Sequence, residues 1–194
     1  DTEPIDSMMH NRVPLVTLDR RIAGKGLSDV SVQSLNGMRE AVAHLRDLRH
    51  TKIGYIGGLA GPTISDHRLR SFTRAMQAAG LAADPRFLQV GNYRISGGES
   101  AMSALLELKD RPTAILCAND LTAIGALRVI HRRGLTVPAD FSVIGFDDIE
   151  FSDIVFPPLT TLRLPREQLA RTFVSALESF GSEPHALGKQ YKVE

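Results

Sequence analysis

Four polar residues occupy positions where a folded chain could bring them to one site. Asp19, Asn119 and Asp147 each come at or just after the end of a short apolar run, and Arg68 lies near the start of a predicted helix. In open α/β sheets, ligands bind just beyond the carboxyl ends of the strands. Carboxylate, carboxamide and guanidinium groups hold vicinal hydroxyls or the edge of a heterocycle through paired hydrogen bonds. These residues therefore predict a binding site for a small polar molecule.

Neighbouring residues in the same segments also have structural interpretations. Asp120 is predicted to cap the helix that follows it, because aspartate is a preferred N-cap residue. One of Asp147 and Asp148 is expected to accept hydrogen bonds from its own loop. The shared position at the sheet edge favours Asn119 and Asp147 as ligand contacts.

The other two candidates have competing interpretations as well. Arg68 could be a solvated surface arginine, and Asp19 could pair with Arg20 or Arg21 for structural reasons. Phe146, beside Asp147, could offer a ring face to a ligand. The glycine-rich segment 57–61 would let the backbone approach a ligand closely.

Motifs for catalysis or metal binding are missing from the sequence. The segment 57–63 lacks the lysine of a phosphate-binding loop, and 24–26 lacks the third glycine of a dinucleotide fingerprint. The six histidines show no metal-ligand spacing, and Cys117 is the single cysteine. The sequence predicts a binding protein that is not an enzyme, with no cofactor and no metal.

Strand-like and helix-like segments alternate, which predicts an α/β fold with parallel sheets and helices on both faces. Helix 96–108 is expected to open with a capping box formed by Ser96 and Glu99. Strands are predicted at 13–18, 52–57, 87–90, 113–118, 141–145, 159–162 and 191–193, and helices at 35–49, 65–80, 96–108, 120–133 and 165–180.

Two segments, 19–34 and 148–158, lack a clean period and are rich in turn-forming residues. Long structureless loops are uncommon inside compact domains, so we interpret both segments as crossovers between two lobes. The lobe at about 35–147 is expected to be nearly complete. The flanking material has too few strands to close a core and is expected to be a truncated lobe.

Bulk composition restricts the partners of this chain. Lys and Arg number 23 against 22 Asp and Glu, so no net field would draw the chain onto nucleic acid or an anionic membrane. We expect any DNA contact to come from another segment. A single cysteine fits a reducing compartment, and no apolar run reaches the length of a membrane span.

Several sequence blocks, in this order, resemble the effector domain of the lac repressor family. They are 13–20 (VPLVTLDR), 49–58 (RHTKIGYIGG), 112–127 (PTAILCANDLTAIGAL), 134–148 (GLTVPADFSVIGFDD) and 158–162 (PLTTL). The last block separates these repressors from periplasmic sugar-binding proteins of the same fold. The resemblance covers nearly the whole chain.

The resemblance implies a periplasmic-binding-protein-like fold of two Rossmann-like lobes joined by three crossovers, the third near 182–188. It assigns 1–34 and 149–185 to a partial N-terminal lobe, and 35–148 and 186–194 to the C-terminal lobe, so that the final strand returns to the larger lobe. It also implies that an N-terminal helix-turn-helix DNA-binding domain is absent from this chain.

The ligand contacts of the family fall on Asp19, Arg68, Asn119 and Asp147. Three departures from the family pattern stand out. Gln33-Ser34 replaces a common Asp-Asn pair, Arg49 replaces a glycine, and Ser71 replaces a glycine three residues after the ligand arginine. The first departure concerns a possible ligand contact, and the other two concern helix ends and packing.

We therefore expect the effector-sensing part of a cytoplasmic, homodimeric bacterial transcriptional regulator. A sugar, nucleoside or similar metabolite would bind between the lobes, shift their arrangement and control operator binding through the absent DNA-binding domain. A periplasmic sugar-binding protein, which a signal peptide would indicate, is the alternative. A sugar- or nucleotide-processing α/β enzyme, which turnover would reveal, is a further one.

Overall fold

The computed structural model describes residues 7–8, 13–59, 64–181, 183–184 and 186–194. Part of the predicted glycine-rich loop, at 60–61, lies outside the described residues. The chain forms two compact units: residues 1–33 with 165–194, and residues 34–164. The α/β fold class with parallel sheets is confirmed in both units.

The larger unit is built on a parallel five-stranded sheet in the order β4-β3-β5-β6-β7. Its strands are β3 (Ile53–Ile56), β4 (Leu88–Gln89), β5 (Ala114–Cys117), β6 (Ser142–Asp147) and β7 (Thr160–Arg163). Its helices are α1 (Leu35–Asp47), α2 (Ile64–Ala78), α3 (Ile95–Leu106), α4 (Asp120–Arg132) and the short α5 (Phe151–Ile154). The central strands β3 and β5 are buried along their whole length, as expected for a sheet covered on both faces.

Successive residues of these strands point to opposite faces of the sheet and enter two separate cores. Tyr55 and Leu116 pack with the apolar residues of α1 and α2, whereas Ile56 and Ile115 pack with those of α3 and α4. Each helix pair therefore covers one face and holds the strand ends in fixed positions.

The smaller unit has a parallel sheet in the order β1-β2-β8, formed by Leu15–Leu18, Leu27–Val32 and Gln190–Val193. Helix α6 (Arg166–Glu178) packs on this sheet, with Ala176 against Val30 and Val193. The core of this unit is small compared with the two cores of the larger one.

Strand β2 lies inside the segment 19–34, for which we predicted no regular structure. Its six residues are all buried although three of them are polar, which hides the strand signal. Asp29 Oδ1 accepts hydrogen bonds from Thr17 Oγ1 at 2.6 Å and from the Arg20 N–H at 3.0 Å, while Asp29 Oδ2 has no hydrogen-bond partner among the described residues. Ser28 Oγ accepts from the Lys189 N–H at 3.1 Å.

The predicted placement of the last strands is wrong. β8 pairs with β2 in the smaller unit and does not join the larger sheet, whereas β7 pairs with β6 in the larger unit. The unit boundaries accordingly fall at 33/34 and 164/165, and not near 148 and 186. A strand's apolar pattern reports that it is buried and carries no information about its partner, which explains the error.

Helix ends also differ from the prediction at α3. This helix begins at Ile95, and Ser96 is therefore not an N-cap residue. The first turn is held instead by Asn92 Oδ1, which accepts hydrogen bonds from the N–H groups of Arg94 at 2.9 Å and Gly97 at 3.1 Å. The predicted capping box does not form.

All three departures from the lac repressor pattern have a local structural role. Ser34 Oγ donates a hydrogen bond to Ser71 Oγ at 2.9 Å, and both side chains are buried. Arg49 lies two residues beyond the end of helix α1 and has φ 71°, the left-handed conformation that glycine adopts at lower cost. Ser71 and Arg49 therefore affect packing and a helix end, as predicted, whereas Ser34, which the prediction linked to a ligand contact, packs against Ser71.

His50, which precedes β3, contacts residues at the start of β5 and β6. Its Nδ1 lies 2.8 Å from Thr113 Oγ1, and its Nε2 lies 2.9 Å from Ser142 Oγ. Burial, with a smaller contribution from His44, lowers the pKa of His50 below the usual 6.5. The folded state therefore favours the neutral imidazole.

This lowered pKa predicts that acid weakens the fold. Below pH 6.5 the unfolded chain binds a proton on His50 more readily than the folded chain, so the free energy of unfolding falls as the pH drops from 6.5 toward the folded-state pKa. Urea unfolding between pH 7.5 and 5.5 should show this slope, and it should be reduced in His50→Gln. An equal slope in the two proteins would contradict the role of His50.

Among the described residues, no helix is both long and apolar enough to cross a membrane.

Candidate ligand-binding site

The carboxyl edge of the five-stranded sheet collects three of the four predicted site residues. Asn119 lies just beyond β5, and Asp147 is the last residue of β6. Because these neighbouring strands are parallel, both residues lie at the same edge of the sheet. Arg68 reaches this edge from α2. The fourth residue, Asp19, belongs to the smaller unit and is described separately below.

Arg68 is not a surface arginine, since only 6% of the residue is exposed. Its Nη1 donates a hydrogen bond to the carbonyl oxygen of Ala118, and its Nη2 lies 3.5 Å from Asp147 Oδ1. The guanidinium stacks on the ring of Phe146, with Cζ 4.1 Å from the ring centroid. Arg68 therefore covers one face of the Phe146 ring, which we suggested could contact a ligand.

This arrangement fixes the guanidinium plane at the strand ends. A guanidinium carries five N–H donors in a rigid fork, and the two contacts above use only part of that capacity. Burial beside Phe146 strengthens the electrostatic interaction of the remaining donors with a polar ligand, because the surroundings have a low dielectric constant.

Asp147 provides the acceptor beside this donor. Its side chain is 24% exposed, and its backbone has φ 113°. Non-glycine residues with such strained backbones persist only where the surrounding structure holds them, and they cluster at functional sites. A partly exposed carboxylate beside a buried guanidinium can accept hydrogen bonds from ligand hydroxyl or N–H groups.

Asn119, and not Asp120, caps helix α4. Its Oδ1 accepts hydrogen bonds from the Thr122 N–H at 3.0 Å and from Thr122 Oγ1 at 2.6 Å. Its Nδ2 donates to the carbonyl oxygen of Tyr93 at 3.0 Å, which uses one of the two amide hydrogens. The helix-cap prediction for Asp120 is therefore wrong, and Asn119 combines a structural role with its position at the edge.

Asp120 is fully buried and links the elements around the site. Its Oδ1 accepts a hydrogen bond from Thr161 Oγ1 at 2.5 Å, and its Oδ2 accepts from the Ile149 N–H at 2.8 Å. Burial raises the pKa of Asp120 above its usual range, while the hydrogen bonds from Thr161 and Ile149 act in the opposite direction. Nothing in the sequence predicted the hydrogen bond between Thr161 and Asp120.

Tyr93 is a site residue that the sequence prediction missed. Its carbonyl oxygen holds Asn119, its φ is 61°, and its ring lies where a side chain on Gly58 would be, 2.0 Å from a built Cβ. Gly58 is thus required for the close approach of this ring. Tyr93 follows the short strand β4. The rule that ligands bind just beyond the carboxyl ends of strands (the strand-end rule) could therefore have predicted it.

Asp19 follows β1 in the smaller unit, at the carboxyl end of that strand. Its Oδ1 accepts a hydrogen bond from the Val32 N–H at 2.9 Å, and its backbone φ is 55°. Asp19, just beyond β1, therefore forms a hydrogen bond with the last residue of β2.

A separate cavity of about 240 Å³ lies beside β3 and β4, lined by residues that include Tyr55, Leu69, Leu88 and Val90. Arg68, Asn119 and Asp147 are not among its lining residues. Its lining also includes Gly57 and Gly58 of the predicted glycine-rich segment. Within the described part of the chain, no three histidine, cysteine or acidic residues cluster as metal ligands would.

Comparison with known proteins identifies the class of this domain. Residues 42–191 match the family model of the periplasmic binding protein-like domain. The chain belongs to this family and is an effector-binding domain of the lac repressor type.

Its relatives are bacterial repressors. The HTH-type transcriptional repressor CytR of Escherichia coli K12 is 35% identical over 161 residues, which is 83% of this chain and 47% of CytR. The probable HTH-type transcriptional repressor ExuR of Bacillus subtilis is 35% identical over 184 residues, or 95% of this chain and 55% of ExuR. The chain spans about half the length of these curated relatives.

Solved structures of the same class share the fold. The transcriptional regulator CelR in complex with cellobiose superposes with a TM-score of 0.88 at 27% identity, covering 100% of this chain and 60% of CelR.

Proposed function

We propose that this chain is the effector-sensing domain of a bacterial transcriptional repressor and is not an enzyme. The observation that carries the proposal is the buried Arg68 guanidinium, held beside the Asp147 carboxylate at the carboxyl edge of the larger sheet. Fixed donors next to a partly exposed acceptor suit recognition of a small polar molecule. The repressor names of the relatives support the regulatory role.

The proposed effector is a sugar, a nucleoside or a related metabolite. Arg68 would donate to its oxygen or nitrogen atoms, Asp147 would accept from its hydroxyl or N–H groups, and Asn119 would offer its second amide hydrogen. In this proposal Asp19 contributes a further carboxylate from the smaller unit. The cellobiose complex of CelR supports a carbohydrate ligand.

We propose that the effector favours one arrangement of the two lobes and thereby controls operator binding. An N-terminal helix-turn-helix domain, outside this chain, would make the DNA contacts, in agreement with the nearly balanced charge. The regulator would act in the cytoplasm as a homodimer. The large apolar side chains of Phe151, Ile154 and Phe156 are exposed and close together along the chain, which supports self-association.

A ligand screen tests the proposal. Ligands that bind only the folded state raise its stability by mass action. Thermal unfolding should therefore be measured with monosaccharides, disaccharides and nucleosides, on wild type and on Arg68→Ala. We expect one compound to raise the melting temperature of wild type alone. Catalytic turnover of that compound would favour an enzyme, and no stabilisation by any compound would argue against the proposed function.

A further inference from the structure

The turn that carries Asp147 is strained at two consecutive residues. Asp147 has φ 113° and Asp148 has φ 55°, and both lie in the region that residues with a Cβ rarely adopt. Such a turn needs support from its surroundings, because a relaxed backbone would be lower in energy.

Asp120 and Thr161 hold the two backbone N–H groups that follow Asp147. The Asp148 N–H donates to Thr161 Oγ1 at 3.3 Å, and Thr161 Oγ1 in turn donates to Asp120 Oδ1 at 2.5 Å. The next N–H, of Ile149, donates directly to Asp120 Oδ2 at 2.8 Å. One buried carboxylate thus fixes both residues, once directly and once through a hydroxyl.

Space for this carboxylate comes from Gly145. A Cβ built at this glycine would lie 2.1 Å from Asp120 Oδ1, a distance that no real side chain tolerates. Three elements therefore meet at Asp120: the first turn of α4, the end of β6 and the strand β7. Asp120 itself is 0% exposed and cannot contact a ligand from solvent in this arrangement.

We infer that Asp120 and Thr161 are positioning residues, which hold the turn at Asp147–Asp148 so that the Asp147 carboxylate faces Arg68. This inference rests on the proposed function, because it assigns to the turn the role of presenting a ligand-binding carboxylate. A helix cap or a general packing contact would not require the two oxygens of one carboxylate to serve the same turn.

The test measures the turn itself, by NMR of the full chain with no added small molecule. In Thr161→Val the side chain keeps its shape but loses both hydrogen bonds. We expect the Cα and Hα shifts of Asp147 and Asp148 to move away from left-handed values. Amide exchange at Asp148 and Ile149 should become at least tenfold faster.

Two variants serve as controls. Thr161→Ser keeps the hydroxyl and should restore wild-type shifts and exchange. Thr160→Val makes the same substitution at the preceding, exposed residue of β7 and should leave the turn unchanged. If Thr161→Val does not fold, Asp120→Asn, which keeps the shape but has one acceptor oxygen, should show the same local changes. Wild-type shifts and exchange in folded Thr161→Val or folded Asp120→Asn would overturn the inference.

The outcome is separable from that of the proposed function. The positioning role fails if the turn is unaffected, whether or not any sugar or nucleoside binds. The proposed function fails if no compound stabilises wild type, whatever the NMR spectra show. A loosened turn with unchanged affinity for a compound that wild type binds would contradict the ligand role of Asp147 only.

Discussion

Replacing Arg68 with alanine should weaken effector binding by at least a hundredfold. The guanidinium is buried, and its loss removes the donors that we propose bind the ligand while leaving the Ala118 carbonyl and Asp147 without this partner. A hydrogen bond to a charged group contributes about 1.5–3 kcal/mol, and each 1.4 kcal/mol corresponds to about a tenfold change in affinity. Two such bonds to the ligand account for the expected loss.

The measurement is calorimetric titration of the stabilising compound, together with urea unfolding of each variant. Arg70→Ala is the matched control, because Arg70 lies on the same helix, is exposed and pairs with Asp66. We expect Arg70→Ala to bind like wild type. Arg68→Ala should also unfold about 1–3 kcal/mol more easily, since it leaves a buried carbonyl unsatisfied. Equal affinity of the two variants would remove Arg68 from the site.

Asp147→Asn should weaken binding by roughly ten- to a hundredfold and change stability little. Asparagine has nearly the same shape and tolerates positive φ as well as aspartate does. The substitution removes the negative charge, and with it a charge-assisted bond that contributes about 1.5–3 kcal/mol. Asp147→Ala should give a similar loss of affinity.

Asp148→Asn is the control for this variant. Asp148 is the adjacent residue, has positive φ as well, and pairs with Arg163 at 2.5 Å. Titration and thermal unfolding of both variants distinguish the two roles of Asp147. If Asp147→Asn binds with wild-type affinity but melts earlier, Asp147 is a structural residue of its loop and not a ligand contact.

Much of the larger unit could be predicted from the sequence because its signals are local. The apolar run 114–117 is a fully buried strand, and residues such as Met38 and Val42 repeat with the helical period. The strand-end rule then placed Arg68, Asn119 and Asp147 at one edge without knowledge of the sheet order. That rule depends only on the parallel arrangement.

The errors concern information that is not local. β7 and β8 have the composition of strands, but their neighbours are set by tertiary packing. Asn119 and Asp120 are both good cap residues. Which of them caps α4 depends on Thr161, 41 positions away along the chain, which binds Asp120. β2 was hidden because three of its six residues are polar, and hydrogen-bond partners such as Thr17 and Lys189 lie in other segments that no local pattern connects to it.

The buried contact between Ser34 and Ser71 makes these two positions epistatic. Replacing either serine alone with alanine leaves the other hydroxyl buried without this partner, at a cost of about 1–3 kcal/mol. Replacing both removes the polar groups together and should cost less than the sum of the single changes. Evolutionary routes toward the common family pattern, with asparagine at 34 and glycine at 71, are therefore expected to change both positions close together in time.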